Sequence, residues 1–105
     1  MRPKISVIIT CYNYARFLPE AVESVIRQTC QDFEIIIVND GSTDNSKETA
    51  KTLTEKYPKH QTRLINESNK GLATARNVGI GKARGRYILP LDADDKLHPQ
   101  ALRKM

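Results

Sequence analysis

Asp92-Ala93-Asp94-Asp95 places three carboxylates within four residues. Charges of one sign at that spacing repel unless a cation or a hydrogen-bond network compensates. Hard divalent ions such as Mg2+ or Mn2+ take oxygen ligands, and Mg2+ typically uses one or two carboxylates completed by substrate phosphates. On extended backbone the Asp-Ala-Asp alternation turns Asp92 and Asp94 to one face and Ala93 to the other. The alternative is a solvated loop in which Asp94 or Asp95 sits near the positive end of a following helix. An EF-hand is excluded, because Lys96 and Leu97 stand where an oxygen ligand and a glycine are needed.

Three further groups have chemistry open to them. Asp40, followed by Gly41, is a turn signal, and its acceptor-only carboxylate also suits recognition of a base N–H. Tyr12, in the run Thr10-Cys11-Tyr12-Asn13, can stack on a base or pack. Arg76 falls between core-facing helical positions, where a partly buried guanidinium takes an anionic or planar partner; a surface salt bridge is the alternative. Gly79-Ile80-Gly81-Lys82-Ala83-Arg84-Gly85 is a decoy for a dinucleotide fingerprint. Its final spacing is wrong, and it ends a helix instead of linking the first strand to one, so an NAD site is not expected.

The elements that must position these groups alternate: strand, helix, strand, helix, strand, helix, strand. That order predicts an α/β fold with a mostly parallel sheet flanked by helices. Ile5–Thr10 and Glu34–Val38 are nearly continuous β-branched runs, the mark of strands buried on both faces. Thr62–Ile65 is shorter and more polar and reads as an edge strand, and Arg86–Leu91 leads into the aspartates. Leu18, Ala21, Val22, Val25 and Ile26 form one apolar stripe of a first helix, with Pro19 in its opening turn. A second helix runs from Thr43 or Asp44, either able to cap it, towards Tyr57, with Ala50, Leu53 and Tyr57 inward and Pro58 ending it. The third, near Gly71–Ala83, presents Leu72, Ala75, Gly79 and Ala83, small enough to lie close to a sheet. Leu97–Met105 begins another helical segment, with Leu102 spaced to pack, and stops. Parallel strands joined by right-handed crossovers share one carboxyl edge, where open α/β sheets bind ligands. Thr10–Asn13, Asn39–Asp44 and Asp92–Asp95 all follow strands at that edge.

Composition sets the bounds. The 105 residues allow one domain or part of one, and 39% hydrophobic with 28% charged residues exclude disordered and fibrous classes. No apolar run is long enough to cross a membrane. No leader precedes Ile5, so a cytosolic or cytosol-facing location is expected. Cys11 and Cys30 are 19 positions apart with no CxxC pairing, as expected of two reduced thiols. The net charge of +5 hides an asymmetry: residues 1–50 carry five basic and seven acidic side chains, residues 51–105 twelve and five. Such an excess attracts polyphosphate, nucleic acid or anionic lipid, or simply keeps a surface solvated. No aromatic-interleaved basic stripe or DNA- or RNA-binding signature is present, so nucleic acid is not an expected partner.

Val7-Ile8-Ile9-Thr10-Cys11-Tyr12-Asn13, Ile37-Val38-Asn39-Asp40-Gly41-Ser42-Thr43-Asp44, Asn69-Lys70-Gly71-Leu72-Ala73-Thr74-Ala75-Arg76-Asn77 and Leu91-Asp92-Ala93-Asp94-Asp95 together resemble the nucleotide-binding half of a family 2 glycosyltransferase with the GT-A fold. The resemblance implies a truncated Rossmann-like unit in which residues 1–105 are the nucleotide-sugar-binding portion of one domain. It implies that Thr10, Cys11, Tyr12 and Asn13 line the base and ribose pocket, that Asp40 binds the base, usually uracil, and that Arg76 helps hold the nucleotide. Asp92, Ala93 and Asp94 match the Asp-x-Asp motif, with Asp94 the main ligand of Mn2+ or Mg2+ and Asp92 contacting ribose or supporting the metal. A cation bridging the diphosphate suits glycosyl transfer, since it stabilises the charge that develops on the leaving group. The expected reaction passes a sugar from a UDP-sugar to a saccharide, lipid-linked or protein acceptor, with inversion.

Family members continue past this length. The catalytic base and acceptor surface are therefore expected outside these residues, with weak nucleotide binding and little transfer by this chain alone. A peripheral membrane contact is compatible with the basic second half, and an exposed edge at Arg86–Leu91 predicts self-association. Two other classes share these features. One is a non-catalytic nucleotide-binding module. The other is a Mg2+-dependent phosphatase of the haloacid dehalogenase type, whose Asp-x-Asp normally follows the first strand and not the fourth.

Overall fold

The computed structural model describes residues 3–58, 62–97 and 99–102. Its elements run β1 (Ile5–Cys11), α1 (Leu18–Ile26), β2 (Phe33–Asp40), α2 (Ser46–Lys56), β3 (Arg63–Glu67), α3 (Leu72–Lys82) and β4 (Tyr87–Asp92). The four strands form one parallel sheet in the order β3-β2-β1-β4, with Ile5–Cys11 pairing Phe33–Asn39 on one side and Tyr87–Asp92 on the other.

Strand periodicity sorts the core onto two faces. Ile5, Val7, Ile9 and Cys11 of β1 point with Phe33, Ile35 and Ile37 of β2 into a cluster closed by Leu18, Ala21, Val22 and Val25 of α1 and Ala50 and Leu53 of α2. Ile8, Ile36 and Val38 face the other way, against Ala75 of α3. At Gly79 a Cβ would stand 2.5 Å from Ile8 Cγ2 and 3.1 Å from Val38 Cγ2, so α3 lies on the sheet at a distance only glycine permits. This explains the first of the two glycines inside α3; at Gly81 a Cβ would meet nothing within 4 Å. The loss of helix propensity at Gly79, about 1 kcal/mol relative to alanine, is offset by this packing.

The strands differ from the sequence expectation by one or two residues at their ends. β2 extends to Asp40 and β3 to Glu67 because pairing continues through Asp40↔Glu67, a tertiary contact that local apolar content does not signal. Helix α2 begins at Ser46, later than Thr43 or Asp44, with Asp44 Oδ1 accepting from the Ser46 N–H at 2.9 Å while Oδ2 accepts from Ala15 N–H of the preceding loop. Of the expected helix over 97–105, residues 99–102 form a turn with Leu102 fully buried, and the rest lies largely outside the described residues. Both cysteines are free thiols, as expected. Among the described residues no helix is long and apolar enough to cross a membrane.

At the N-terminal edge of the sheet Glu34 is fully buried, yet fully engaged. It accepts from the Ser6 hydroxyl, from Arg63 Nη2 at 2.9 Å and from the Arg84 main-chain N–H at 2.7 Å. Burial works to raise its pKa, but these hydrogen bonds and the Arg63 charge outweigh it and hold the carboxyl below the usual glutamate range. The knot ties β1, β2, β3 and the α3–β4 turn together, opposite the edge that carries the candidate site.

Candidate functional site

The chain lays down β1, β2 and β3 in one direction and returns to place β4 on the other side of β1. The carboxyl edge between β1 and β4 is thus a topological switch point, the usual ligand crevice of an open α/β sheet. Thr10 and Asp92 flank it. They are register partners, the Thr10 hydroxyl donates to Asp92 Oδ1 at 3.2 Å, and the next main-chain N–H, of Ala93, donates to Thr10 O at 3.0 Å.

Beyond Asp92 the chain turns, with Asp95 N–H donating to Asp92 O at 2.9 Å. The turn brings one oxygen each of Asp92, Asp94 and Asp95 within 4.8 Å of one another. Asp94 and Asp95 are exposed and Asp92 is half-buried. No ion pair among the described residues involves them: Lys96, next in sequence, pairs instead with Glu20 at 2.8 Å. Three unpaired carboxylates of all-oxygen character fit a hard divalent cation. Asp95, read from sequence as a helix cap, joins the set because the backbone turns where extended geometry was expected.

Asp40 is 1% exposed, with its carboxylate turned to the β3–α3 loop: Oδ1 accepts from Lys70 N–H at 2.9 Å and Oδ2 from Gly71 N–H at 3.0 Å. A base N–H would share an oxygen already accepting from backbone. Next to it Gly41, at φ 67°, lets the same loop approach closely, since a Cβ there would meet Asn69 N at 2.5 Å. Arg76 lies on the first half of α3, nearer the carboxyl edge; its Nε is buried without a hydrogen-bond partner. Unlike Arg27, Arg63 and Arg84, it enters no ion pair among the described residues.

Tyr12 is 37% exposed at this edge, as a stacking platform requires. Cys11 and Ala93 differ from Tyr12 in exposure. Both side chains are fully buried in the cluster beneath α1 and α2, with the Cys11 thiol donating to Ser46 Oγ at 3.5 Å, so neither side chain reaches the open edge. Their alternation with Thr10 and Asp92 along the strands is the cause. Thr10 is 2% exposed, and its hydroxyl is spent on Asp92.

Asn13 and Asp44 join the first two loops. Asn13 Oδ1 accepts from Thr43 N–H at 2.7 Å and Asp44 N–H at 3.2 Å, while Asp44 Oδ2 accepts from Ala15 N–H at 3.1 Å. Desolvation works to raise the Asp44 pKa, but the Ser46 hydroxyl and the Ala15 and Ser46 N–H groups outweigh it and hold the carboxyl below the ordinary aspartate range. In the sequence Thr43 and Asp44 read as helix caps and Asn39–Asp44 as a polar segment at the carboxyl edge; that Ser42, Thr43 and Asp44 grip the neighbouring loop depends on the β1–β2 pairing.

The pattern of glycosyl transferase family 2 matches residues 6–105. The chain belongs to that family. It is 49% identical over 96 residues to the glycosyltransferase YibD of Escherichia coli, covering 91% of this chain and 27% of YibD. It is 41% identical over 101 residues to an E. coli chondroitin synthase, covering 95% of this chain and 14% of the synthase. Among solved structures, S. aureus TarS in complex with UDP-GlcNAc superposes with a TM-score of 0.83 at 31% identity, covering 96% of this chain and 29% of TarS. A mannosyltransferase from Pyrobaculum calidifontis, in complex with GDP-Man and Mn2+, gives 0.83 at 28% identity, covering 91% of this chain and 29% of that one. The four-stranded parallel sheet with three helices is thus the start of a GT-A fold. This family 2 chain spans about three-tenths or less of the length of these relatives.

Proposed function

We propose that this chain is the donor-binding portion of a family 2 glycosyltransferase domain, taking a nucleoside-diphosphate sugar, by preference a UDP-sugar, for transfer to an acceptor hydroxyl with inversion. The convergence of Asp92, Asp94 and Asp95 at the β1–β4 switch point carries this reading. The nucleotide-sugar complexes of the two structural neighbours support it.

In this reading Asp94 and Asp95, exposed, and Asp92, anchored by Thr10, hold Mn2+ or Mg2+. The ion supplies Lewis-acid stabilisation of the diphosphate leaving group. Tyr12 offers its ring to the base, Asp40 offers its remaining acceptor capacity to a base N–H, and the unpartnered Arg76 guanidinium is available to the anionic nucleotide. The base that deprotonates the acceptor is assigned, by the family resemblance, to a later part of the domain. The phosphatase alternative is disfavoured because β1 ends in Thr10-Cys11 and carries no nucleophilic acid.

Calorimetric titration with UDP, with and without Mn2+, repeated with GDP and with Asp94→Ala, tests the proposal. Metal-dependent UDP binding that disappears in the variant supports it. Binding indifferent to metal and to Asp94 points to the non-catalytic nucleotide module instead.

A further inference from the structure

Asn13 is the only non-glycine residue with positive φ among the described residues, at 58°. Asparagine tolerates this region because its short polar side chain can hydrogen-bond locally. Here the side chain bonds across to another loop. Oδ1 takes three donors, Thr43 N–H at 2.7 Å, Asp44 N–H at 3.2 Å and Thr43 Oγ1 at 3.3 Å. The Asn13 main-chain N–H donates to Ser42 Oγ at 3.0 Å, and two residues on Ala15 N–H reaches Asp44 Oδ2 at 3.1 Å. The β1–α1 loop, which carries Tyr12, is therefore fastened to the β2–α2 turn by five hydrogen bonds, three of which end on one oxygen.

The geometry points to Asn13 as a positioning residue: its side-chain carbonyl docks the Ser42–Asp44 turn onto the β1–α1 loop and so holds Tyr12 at the open edge, without itself contacting the nucleotide. This replaces the role in lining the base and ribose pocket that the family resemblance implied, and it rests on the donor-binding reading above. Without the tie, the loop samples other conformations, and apparent affinity falls by the fraction of time the competent one is occupied. A competent fraction of about one tenth gives about a tenfold loss.

Two variants separate positioning from contact. Asn13→Gly keeps the positive φ but removes the acceptor; Asn13→Asp keeps both the tolerated backbone and an acceptor oxygen while removing the Nδ2 donor. UDP with Mn2+ is titrated at about 0.05 and about 0.5 M salt, because repulsion of the diphosphate by a new carboxylate is screened by salt and the loss of a direct donor is not. Amide exchange at Thr43 and Asp44 is followed in parallel.

The expected result is that Asn13→Gly loses about tenfold in affinity and loses protection at the Thr43 and Asp44 amides, whereas Asn13→Asp keeps that protection and, at high salt, near wild-type affinity. Wild-type affinity in Asn13→Gly overturns the proposal, as does equal loss in both variants at both salts, which would assign Asn13 a direct contact through Nδ2. If the parent chain binds neither UDP nor GDP, the donor-binding reading fails and the positioning role fails with it, while amide exchange still decides whether the tie exists.

Discussion

Thr10 and Asp92 meet across the β1–β4 pair with the threonine hydroxyl on the aspartate at 3.2 Å, so one of three clustered carboxylates is held by the sheet while Asp94 and Asp95 are left to solvent. Outer-shell partners of this kind orient metal ligands, and removing one typically costs about 10- to 100-fold in metal affinity. Thr10→Val is expected to weaken Mn2+ binding by about tenfold with the fold intact. Asp94→Ala, which removes a carboxylate of the proposed metal site, is expected to weaken it further. Mn2+ titration followed by electron paramagnetic resonance reads both; equal affinity in all three proteins would show that the acids do not act as a metal site.

Glu34 makes acid stability testable. Its folded pKa lies below the ordinary value near 4.3. The stability it contributes is therefore fully present above about pH 4.3 and is lost as pH falls through the folded value. Urea midpoints measured from pH 6 down to about pH 3 should fall in the native chain. Glu34→Gln should begin less stable at pH 6, by about 1–3 kcal/mol given that Arg63 and Arg84 are 39% and 50% exposed, and should lose less on acidification. A slope unchanged by the substitution would place the acid sensitivity elsewhere, Asp44 being the next group with a lowered value.

Gly79→Ala opposes two effects of known size. Alanine gains about 1 kcal/mol of helix propensity, but its Cβ would stand 2.5 Å from Ile8 Cγ2, where both partners are branched side chains of a packed core. Overpacking costs about 1–3 kcal/mol, so net destabilisation is expected by thermal or urea unfolding. Gly81→Ala, with open space around the new Cβ, is the control and should be neutral or stabilising.

The outer edge of β4 governs association. Tyr87 N–H donates to Lys4 O, just before β1, and Ala93 N–H to Thr10 O, so by strand alternation the backbone of Ile88, Pro90 and Asp92 faces outward. Proline there removes one donor from the free edge, a common device against unwanted pairing. Pro90→Val restores that donor beside Tyr87, which is 45% exposed. Sedimentation velocity should show concentration-dependent association in the native chain and a several-fold stronger tendency in Pro90→Val; a monomer in both at high concentration would remove β4 as an association edge.

Much of this was decided locally. β-Branched runs at Ile5–Thr10 and Glu34–Val38, the Leu18–Ile26 stripe and the small residues of α3 are short-range patterns whose periods of 2 and 3.6 dictate strand and helix before any long-range contact forms. The alternation of those elements was enough to announce a parallel sheet, and its carboxyl edge follows from connectivity alone. Hence the Asp92–Asp95 cluster, Asp40 and Tyr12 were legible as candidates. What each side chain does was not. Thr10 and Cys11 are neighbours in sequence, yet one faces Asp92 and the other the core beneath α1 and α2; strand order and face assign those fates. Asp40 turned to Lys70 and Gly71, Asn13 to Thr43 and Asp44, and Glu34 to Arg63 and Arg84 across 29 to 50 residues. A buried carboxylate or amide must find donors wherever the fold brings them, and no local pattern encodes partners that only strand pairing makes adjacent.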